Sequence, residues 1–274
     1  MKPQTYITTS WDDGHPLDFR VADLLTKYAL NGTFYVPMKA PTGTMTAAQI
    51  RDLSGAFEIG AHTLHHAVLT SAGEQQAWDE IAGSRRWIED TTGMACPMFC
   101  APEGKFSRRH VEMVKRAGYL GLRSVELSSL DFPRRESGVM LLPTTIQAYP
   151  HGPLALARNA VKRMAFGNLW RFVARGATRD WPRLASSFLR QALACGGVFH
   201  LWGHSWELQD AGQWQRLDEA LRFLSEVAGR APPLTNGQLC RRFLARGSGQ
   251  LDAAEDVDRY VAVDADHQFT GGRS

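Results

Sequence analysis

Short apolar runs alternate with amphipathic stretches along most of the chain. Residues 6–11, Tyr-Ile-Thr-Thr-Ser-Trp, are rich in β-branched and aromatic side chains and read as a strand. Val21, Leu24, Leu25 and Tyr28 follow at helical spacing, and Asn31-Gly32 ends that helix. Residues 33–36 form a second strand, closed by Pro37. After a loop over 37–45, Thr46 is an N-cap for a short helix through Leu53. Residues 57–60 are a third strand. A longer helix spans about 73–91, with Trp78, Ile81, Trp87 and Ile88 as its apolar positions. Residues 97–100 give a fourth strand, 108–117 a helix stopped by Gly118, 120–124 a fifth strand and 140–144 a sixth. A helix over 182–195, an apolar strand over 197–202 and helices over 214–228 and 237–246 follow. Strand and helix in regular turn, with no internal repeat, predict a parallel α/β architecture.

Residues 150–180 leave that rhythm. Two amphipathic helical stretches, about 154–165 and 168–175, carry Arg158, Lys162, Arg163, Arg171, Arg175 and Arg179, the most basic region of the chain. A solvated helix face is the simple reading, and a patch facing an anion or a lipid headgroup is the alternative. The expected organisation is one domain over 1–247 with a helical insertion around 150–180, then a Gly- and Asp-rich tail over 248–274.

Composition narrows the picture only a little. An apolar share of 44% in 274 residues supports a sizeable core, and a net charge of +3 gives no reason to expect a nucleic-acid partner. Cys96, Cys100, Cys195 and Cys240 lack paired metal-finger spacing and read as reduced, mostly buried thiols. No charged leader with an apolar core precedes the first strand, and no apolar stretch is long enough to span a bilayer. The expected location is cytoplasmic.

The chemistry concentrates where strands end. Asp12 and Asp13 close the first strand, before Gly14. Adjacent carboxylates repel, and burying both requires partners. Where the strand ends, the backbone can turn both toward one cleft, which raises the question of which cation they share. His62 and His66 follow the third strand. If that segment is helical, their Cβ atoms lie about 6 Å apart on one side, a spacing suited to one ion, and His65 points elsewhere. One carboxylate and two imidazoles leave open positions for water and substrate. Pro102-Glu103-Gly104 and His204 also follow strands, and in a parallel barrel such ends meet at one face.

Together these residues resemble the polysaccharide deacetylase family. Ser10-Trp11-Asp12-Asp13-Gly14 is similar to its first motif, usually Thr-Phe-Asp-Asp-Gly. His62-Thr63-Leu64-His65-His66 matches the second: His, Ser or Thr, two residues, His. Ala101-Pro102-Glu103-Gly104 looks like the third motif, and Leu201-Trp202-Gly203-His204 like the fifth. The likeness runs from about Thr5 to about Leu244. It implies a distorted (β/α) barrel of about seven parallel strands and a divalent metal, most often zinc. The implied activity is hydrolysis of an N-acetyl or N-formyl group on an amino sugar. It makes Asp12 the general base, Asp13, His62 and His66 the metal ligands, and His204 the general acid. Pro102, Glu103, Gly104, Arg123 and Trp202 are the expected substrate-side residues, with a backbone N–H near Glu103 facing the oxyanion.

The chain also departs from the family pattern. The Arg that usually opens the third motif and pairs with the base is Cys100 here, so Arg123, at the end of the fifth strand, is the candidate replacement. Glu103 stands where Tyr is common and brings a negative charge toward the site. The fourth-motif Asp that orients the catalytic His has no counterpart, which leaves Glu126, Asp131 or Glu207. His200, four residues before His204 on the same strand face, competes with it. The favoured substrate is a cytoplasmic nucleotide- or lipid-linked amino sugar in surface-polysaccharide assembly, with peripheral contact to a lipid-linked form. The alternatives are an amide hydrolase acting on a ureide-type substrate and an inactive binding module.

Overall fold

The computed structural model describes residues 4–151 and 180–247. The expected helical insertion falls almost wholly on residues 152–179, and the expected tail on 248–274; both lie outside the described residues.

A ten-stranded sheet curls into a partial barrel. In chain order its strands are β1 (Thr5–Asp12), β2 (Thr33–Val36), β3 (Glu58–Ala61), β4 (Met98–Cys100), β5 (Gly121–Arg123), β6 (Arg134–Glu136), β7 (Val139–Leu142), β8 (Ile146–Gln147), β9 (Gly197–Gly203) and β10 (Pro233–Leu234). Their spatial order is β6-β7-β5-β4-β3-β2-β1-β9-β8, with β10 also paired to β1. Among the described residues only the β6–β7 pair is antiparallel. The helices are α1 (Asp18–Lys27), α2 (Ala47–Ser54), α3 (Glu74–Thr92), α4 (Arg108–Arg116), α5 (Trp181–Cys195), α6 (Ser205–Asp210), α7 (Trp214–Glu226) and α8 (Asn236–Gly247). The expected distorted barrel of parallel strands is the fold observed.

Burial on both faces explains why the strands read as apolar runs. All eight residues of β1 are buried. Ile7 and Trp11 join the large cluster between the sheet and helices α1 to α7. Tyr6 faces the other way, into a smaller cluster with Tyr35, Met98, Cys100, Leu142 and Val198 that is closed by Leu239 and Cys240 of α8. Glu58 ties that helix on, accepting from Gly237 N at 2.8 Å and from the hydroxyls of Thr33 and Thr235.

Local signals located the longer elements. Thr46 caps α2 in a capping box with Gln49. Gly118, at φ +85°, follows α4 as expected. Several differences from the sequence reading have physical causes. α1 ends at Lys27 rather than at Asn31-Gly32, because Ala29 already takes a left-handed turn at φ +51°. The strand expected at 140–144 is the second arm of a hairpin. Its first arm, Arg134-Arg135-Glu136, has no apolar residue to mark it, and Ser137-Gly138, both at positive φ, makes the turn. β8 and β10, two residues each, are too short to show a period. Cys96, Cys100 and Cys240 are buried free thiols, whereas Cys195 is exposed.

Candidate active site

The C-terminal ends of β1, β3, β5 and β9 bring Asp12, Asp13, His62, Arg123 and His204 together, and the end of β4 adds the Cys100 carbonyl. At the end of β1 the chain turns at once: Asp13 has φ +76° and Gly14 φ +60°. Aspartate tolerates this left-handed region better than most residues. At Gly14 a Cβ would come within 2.6 Å of Val36 Cγ1, so a bare glycine is required. This turn is what lets two consecutive carboxylates face one cleft.

The segment after β3 is not helical. Thr63 and His66 both have positive φ, at +62° and +52°, and the chain loops rather than coils. The helical geometry expected for His62 and His66 is therefore corrected. The two rings still meet, with centroids 5.0 Å apart, because the loop folds back on itself. Glu80 of α3 holds it: the buried carboxylate accepts from Leu64 N at 2.8 Å, His65 N at 2.9 Å and His65 Nδ1 at 2.7 Å. His65 thus points away from its neighbours, as expected. Glu80 lies fourteen residues beyond His66 and gave no signal in the sequence.

Asp13 Oδ1 faces His66 Nε2 at 3.1 Å and His62 Nε2 at 3.5 Å. The candidate ligand atoms of Asp13, His62 and His66 all lie within 4.8 Å of one another. The tautomer at His62 shows what this cradle suits. His62 Nδ1 lies 2.8 Å from the Cys100 carbonyl, which can only accept, so Nδ1 carries the proton. In a neutral ring Nε2 is then a lone pair aimed at a carboxylate. Asp13 Oδ1 is buried and has no hydrogen-bond partner among the described residues. Facing lone pairs repel, and a cation between them turns the repulsion into ligation. Tetrahedral ligands about 2.1 Å from one ion are roughly 3.4 Å apart, close to these separations. Burial alone would raise the Asp13 carboxyl, but the two imidazoles hold it well below the usual carboxylate range. Trp206 Nε1 donates to Asp13 Oδ2 at 2.9 Å and fixes the other half of the carboxylate. No motif or spacing marks Trp206 in the sequence.

Asp12 has a different environment. Its carboxylate takes a bifurcated hydrogen bond from Arg123. Arg123 is fully buried, its guanidinium 4.9 Å from the Trp202 ring and 5.2 Å from the Tyr35 ring. Cys100 and Arg123 are direct partners in the β4–β5 register. The guanidinium reaches Asp12 from the strand next to the one where the family pattern places it. Arg123 and Trp202 were both expected on the substrate side. Arg123 is sealed beneath Asp12, and Trp202, 7% exposed, is a wall against it.

His204 follows β9 with Nε2 4.0 Å from Asp13 Oδ2 and Nδ1 2.6 Å from Glu207 Oε2. Burial works against its charge, but the Glu207 hydrogen bond and the carboxylates of Asp12 and Asp13 hold His204 up at about 9. Of the three acids considered for orienting it, Glu207 is the one in contact. Asp131 bonds instead to Ser129. His200 is buried with Nε2 on Ser10 Oγ at 2.8 Å, and burial pushes it well below its ordinary value. Pro102 and Gly104 are buried in the loop after β4, and Glu103 takes φ +56°. The Glu103 side chain is half exposed and pairs with Lys105 at 2.9 Å, so its charge is offset.

Residues 1–122 match the family model described as polysaccharide deacetylase. That segment, a little under half of the chain, is similar to the polysaccharide deacetylase family. The matched segment holds Asp12, Asp13, His62, His66 and the Pro102 loop; Arg123 and His204 lie beyond it. The chain is 30% identical over 120 residues to the peptidoglycan-N-acetylmuramic acid deacetylase PdaA of Bacillus subtilis, an alignment spanning 41% of this chain and 44% of that protein. The chain thus aligns to less than half the length of this curated relative. The fold likeness reaches further. A Mycobacterium smegmatis protein assigned to the polysaccharide deacetylases superposes with a TM-score of 0.64 at 15% identity, covering 90% of this chain and 92% of its own. The chitin deacetylase of Colletotrichum lindemuthianum gives 0.54 at 13% identity, covering 87% and 88%. At such identities these two structures speak for the polysaccharide deacetylase fold alone.

Proposed function

We propose that the chain is a metal-dependent hydrolase that removes an N-acetyl or N-formyl group from an amino sugar. The observation that carries this reading is the pairing of the two adjacent carboxylates. Asp13 faces two imidazole nitrogens with an unsatisfied buried oxygen, while Asp12 beside it is held by Arg123. Asp13, His62 and His66 would hold the ion, and a nitrogen-and-carboxylate set of this kind suits zinc. A divalent ion there would polarise the amide carbonyl and acidify a water. Asp12, outside the ligand set, takes the proton from the attacking water, with Arg123 fixing its orientation. The water oxygen bonds to the carbonyl carbon, and the loop at Glu103 supplies a backbone donor toward the developing oxyanion. His204 gives its Nε2 proton to the nitrogen as the carbon–nitrogen bond breaks, so the products are a carboxylate and a free amino sugar.

For the substrate we favour a cytoplasmic nucleotide- or lipid-linked amino sugar over a wall polymer. The arginines and lysine between 158 and 179 support an anionic group on the substrate. Metal analysis of the purified protein, with acetate release from acetylated nucleotide sugars, chitooligosaccharides and peptidoglycan fragments, tests both levels. Acetate from the nucleotide sugars supports the full reading. Acetate from the polymers alone overturns the choice of substrate and keeps the reaction. A metal-loaded protein that releases none from any of them overturns the reaction.

A further inference from the structure

Glu207 does not hold His204 by itself. Its Oε2 also accepts from Gln147 Nε2 at 2.8 Å. The amide is thereby oriented, because only its NH2 end can face a carboxylate. Gln147 Oε1 then points the other way, where His151 Nε2 lies 2.8 Å off. An amide oxygen only accepts, so His151 Nε2 carries a proton. The chain of donors has one direction: His151 to Gln147, Gln147 to Glu207, and His204 Nδ1 to the same Glu207 oxygen. With Nδ1 donating, the His204 proton available for chemistry sits on Nε2, the nitrogen nearer Asp13.

The backbone is shaped to make this contact. β8 is only two residues long, and it pairs Gln147 with Trp202 of β9, two residues before His204. Ala148 N bonds Trp202 O at 2.7 Å and locks that register. Beyond it, Tyr149 N bonds Gln147 O at 2.8 Å and His151 N bonds Tyr149 O at 2.9 Å. These two tight turns bring the His151 side chain back to Gln147, and the Tyr149 ring packs 4.9 Å from it. Glu207 needs such help. It is a long side chain on a helix of six residues, and three rotatable bonds give it other places to go.

We propose that Gln147, backed by His151, is a positioning residue for the general acid: it pins Glu207 so that His204 presents Nε2 to the leaving nitrogen. The proposal deepens the deacetylase reading and rests on it for the reaction step. Glu207 and Gln147 come from elements far apart in the chain, and the pairing of β8 with β9 is what brings them together.

The test uses leaving-group dependence in the metal-loaded full chain. An N-acetyl amino sugar needs its nitrogen protonated to leave, whereas p-nitrophenyl acetate has a leaving group stable without a proton. Gln147→Leu should lower the ratio of amide to ester kcat by about tenfold, with KM and metal content held, the lower end of the 10–100-fold that loss of a partner behind a metal ligand costs. His151→Phe should lower the same ratio by about threefold. Equal losses on both substrates would mean a merely structural role and overturn the proposal, as would no loss. A second readout does not depend on turnover. The short Nδ1–H bond to Glu207 should give His204 a downfield ring proton in NMR that moves upfield in Gln147→Leu. An unmoved resonance overturns the proposal even if the wild-type protein hydrolyses no amino sugar, a result that would sink the reaction reading separately.

Discussion

The two carboxylates at the end of β1 are neighbours in sequence and opposites in environment. Asp13 belongs to a cradle built from two loops, each set by its own backbone: left-handed turns at Asp13 and Gly14, and at Thr63 and His66. Asp12 belongs to a wall whose partners arrive from afar, Arg123 by strand register and, past it, His204 with Glu207 and Gln147 by the packing of β8, β9 and α6. One carboxylate faces two imidazoles in a cradle that suits a cation. The other carries its counter-charge inside the fold. An ionised carboxylate left buried without a partner costs several kcal/mol, so each of the two charges needs its own. In the proposed reaction the division of labour between ligand and base follows from which partner each oxygen can reach.

The sharpest way to break this comparison is to remove the cradle. His62→Ala should lose bound metal and essentially all turnover, measured by metal content and acetate release together. Metal retained at wild-type level would show that the cradle is not the ligand set. Asp12→Asn probes the wall. It should keep the metal while kcat falls about 10²–10⁴-fold, the usual contribution of a general base. Substantial residual activity would remove Asp12 from that role.

Arg123→Met separates stability from chemistry. It strands a buried Asp12, so unfolding in urea should show a loss of about 3–5 kcal/mol, along with the activity. Because Cys100 and Arg123 are register partners, Cys100→Arg in the Arg123→Met background should recover part of both. A double variant no better than the single would mean that the guanidinium must enter from β5.

The smallest effect lies away from the site and serves as a control on acid sensitivity. His110 is 1% exposed at the start of α4, and burial with the Arg109 charge holds its pKa down to about 4. Its Nδ1 accepts from Ser107 N at 3.0 Å, which requires the neutral ring. Between about pH 6.5 and 4 the unfolded chain therefore binds a proton that the folded chain refuses, and stability falls on acidification. From pH 7 to pH 5 this contribution is about 1–2 kcal/mol. His110→Gln keeps an acceptor without the titration and should flatten that part of the urea-midpoint profile. An unchanged slope would place the acid sensitivity elsewhere.

The comparison also separates what could be read in advance. Asp12-Asp13-Gly14 and His62 to His66 stood out because each is a few adjacent residues at the end of an apolar run. The strand-and-helix alternation told where those runs end. The His62–His66 spacing was explained by the wrong local geometry, a helix in place of a strained loop. Glu80 and Trp206, which hold the cradle from α3 and α6, left no mark, because a single Glu or Trp on a helix looks like any other. Arg123 was found by its place at a strand end, and Glu207 was one of three candidates. Gln147 was invisible, since a two-residue strand has no period and an isolated Gln has no motif.

The sequence by itself determined the alternation that curls a parallel sheet, and the short polar motifs at its strand ends. Both are local: side-chain periodicity follows from backbone geometry, and a turn is chosen by the residues within it. Only the tertiary structure decided which charge lies beneath which acid. The buried counter-ion of Asp12 depends on the β4–β5 register, and the orientation of His204 on where β8 lies against β9. Hydrogen bonds act over about 3 Å, a distance that spacing along the chain cannot report for groups brought together only by packing.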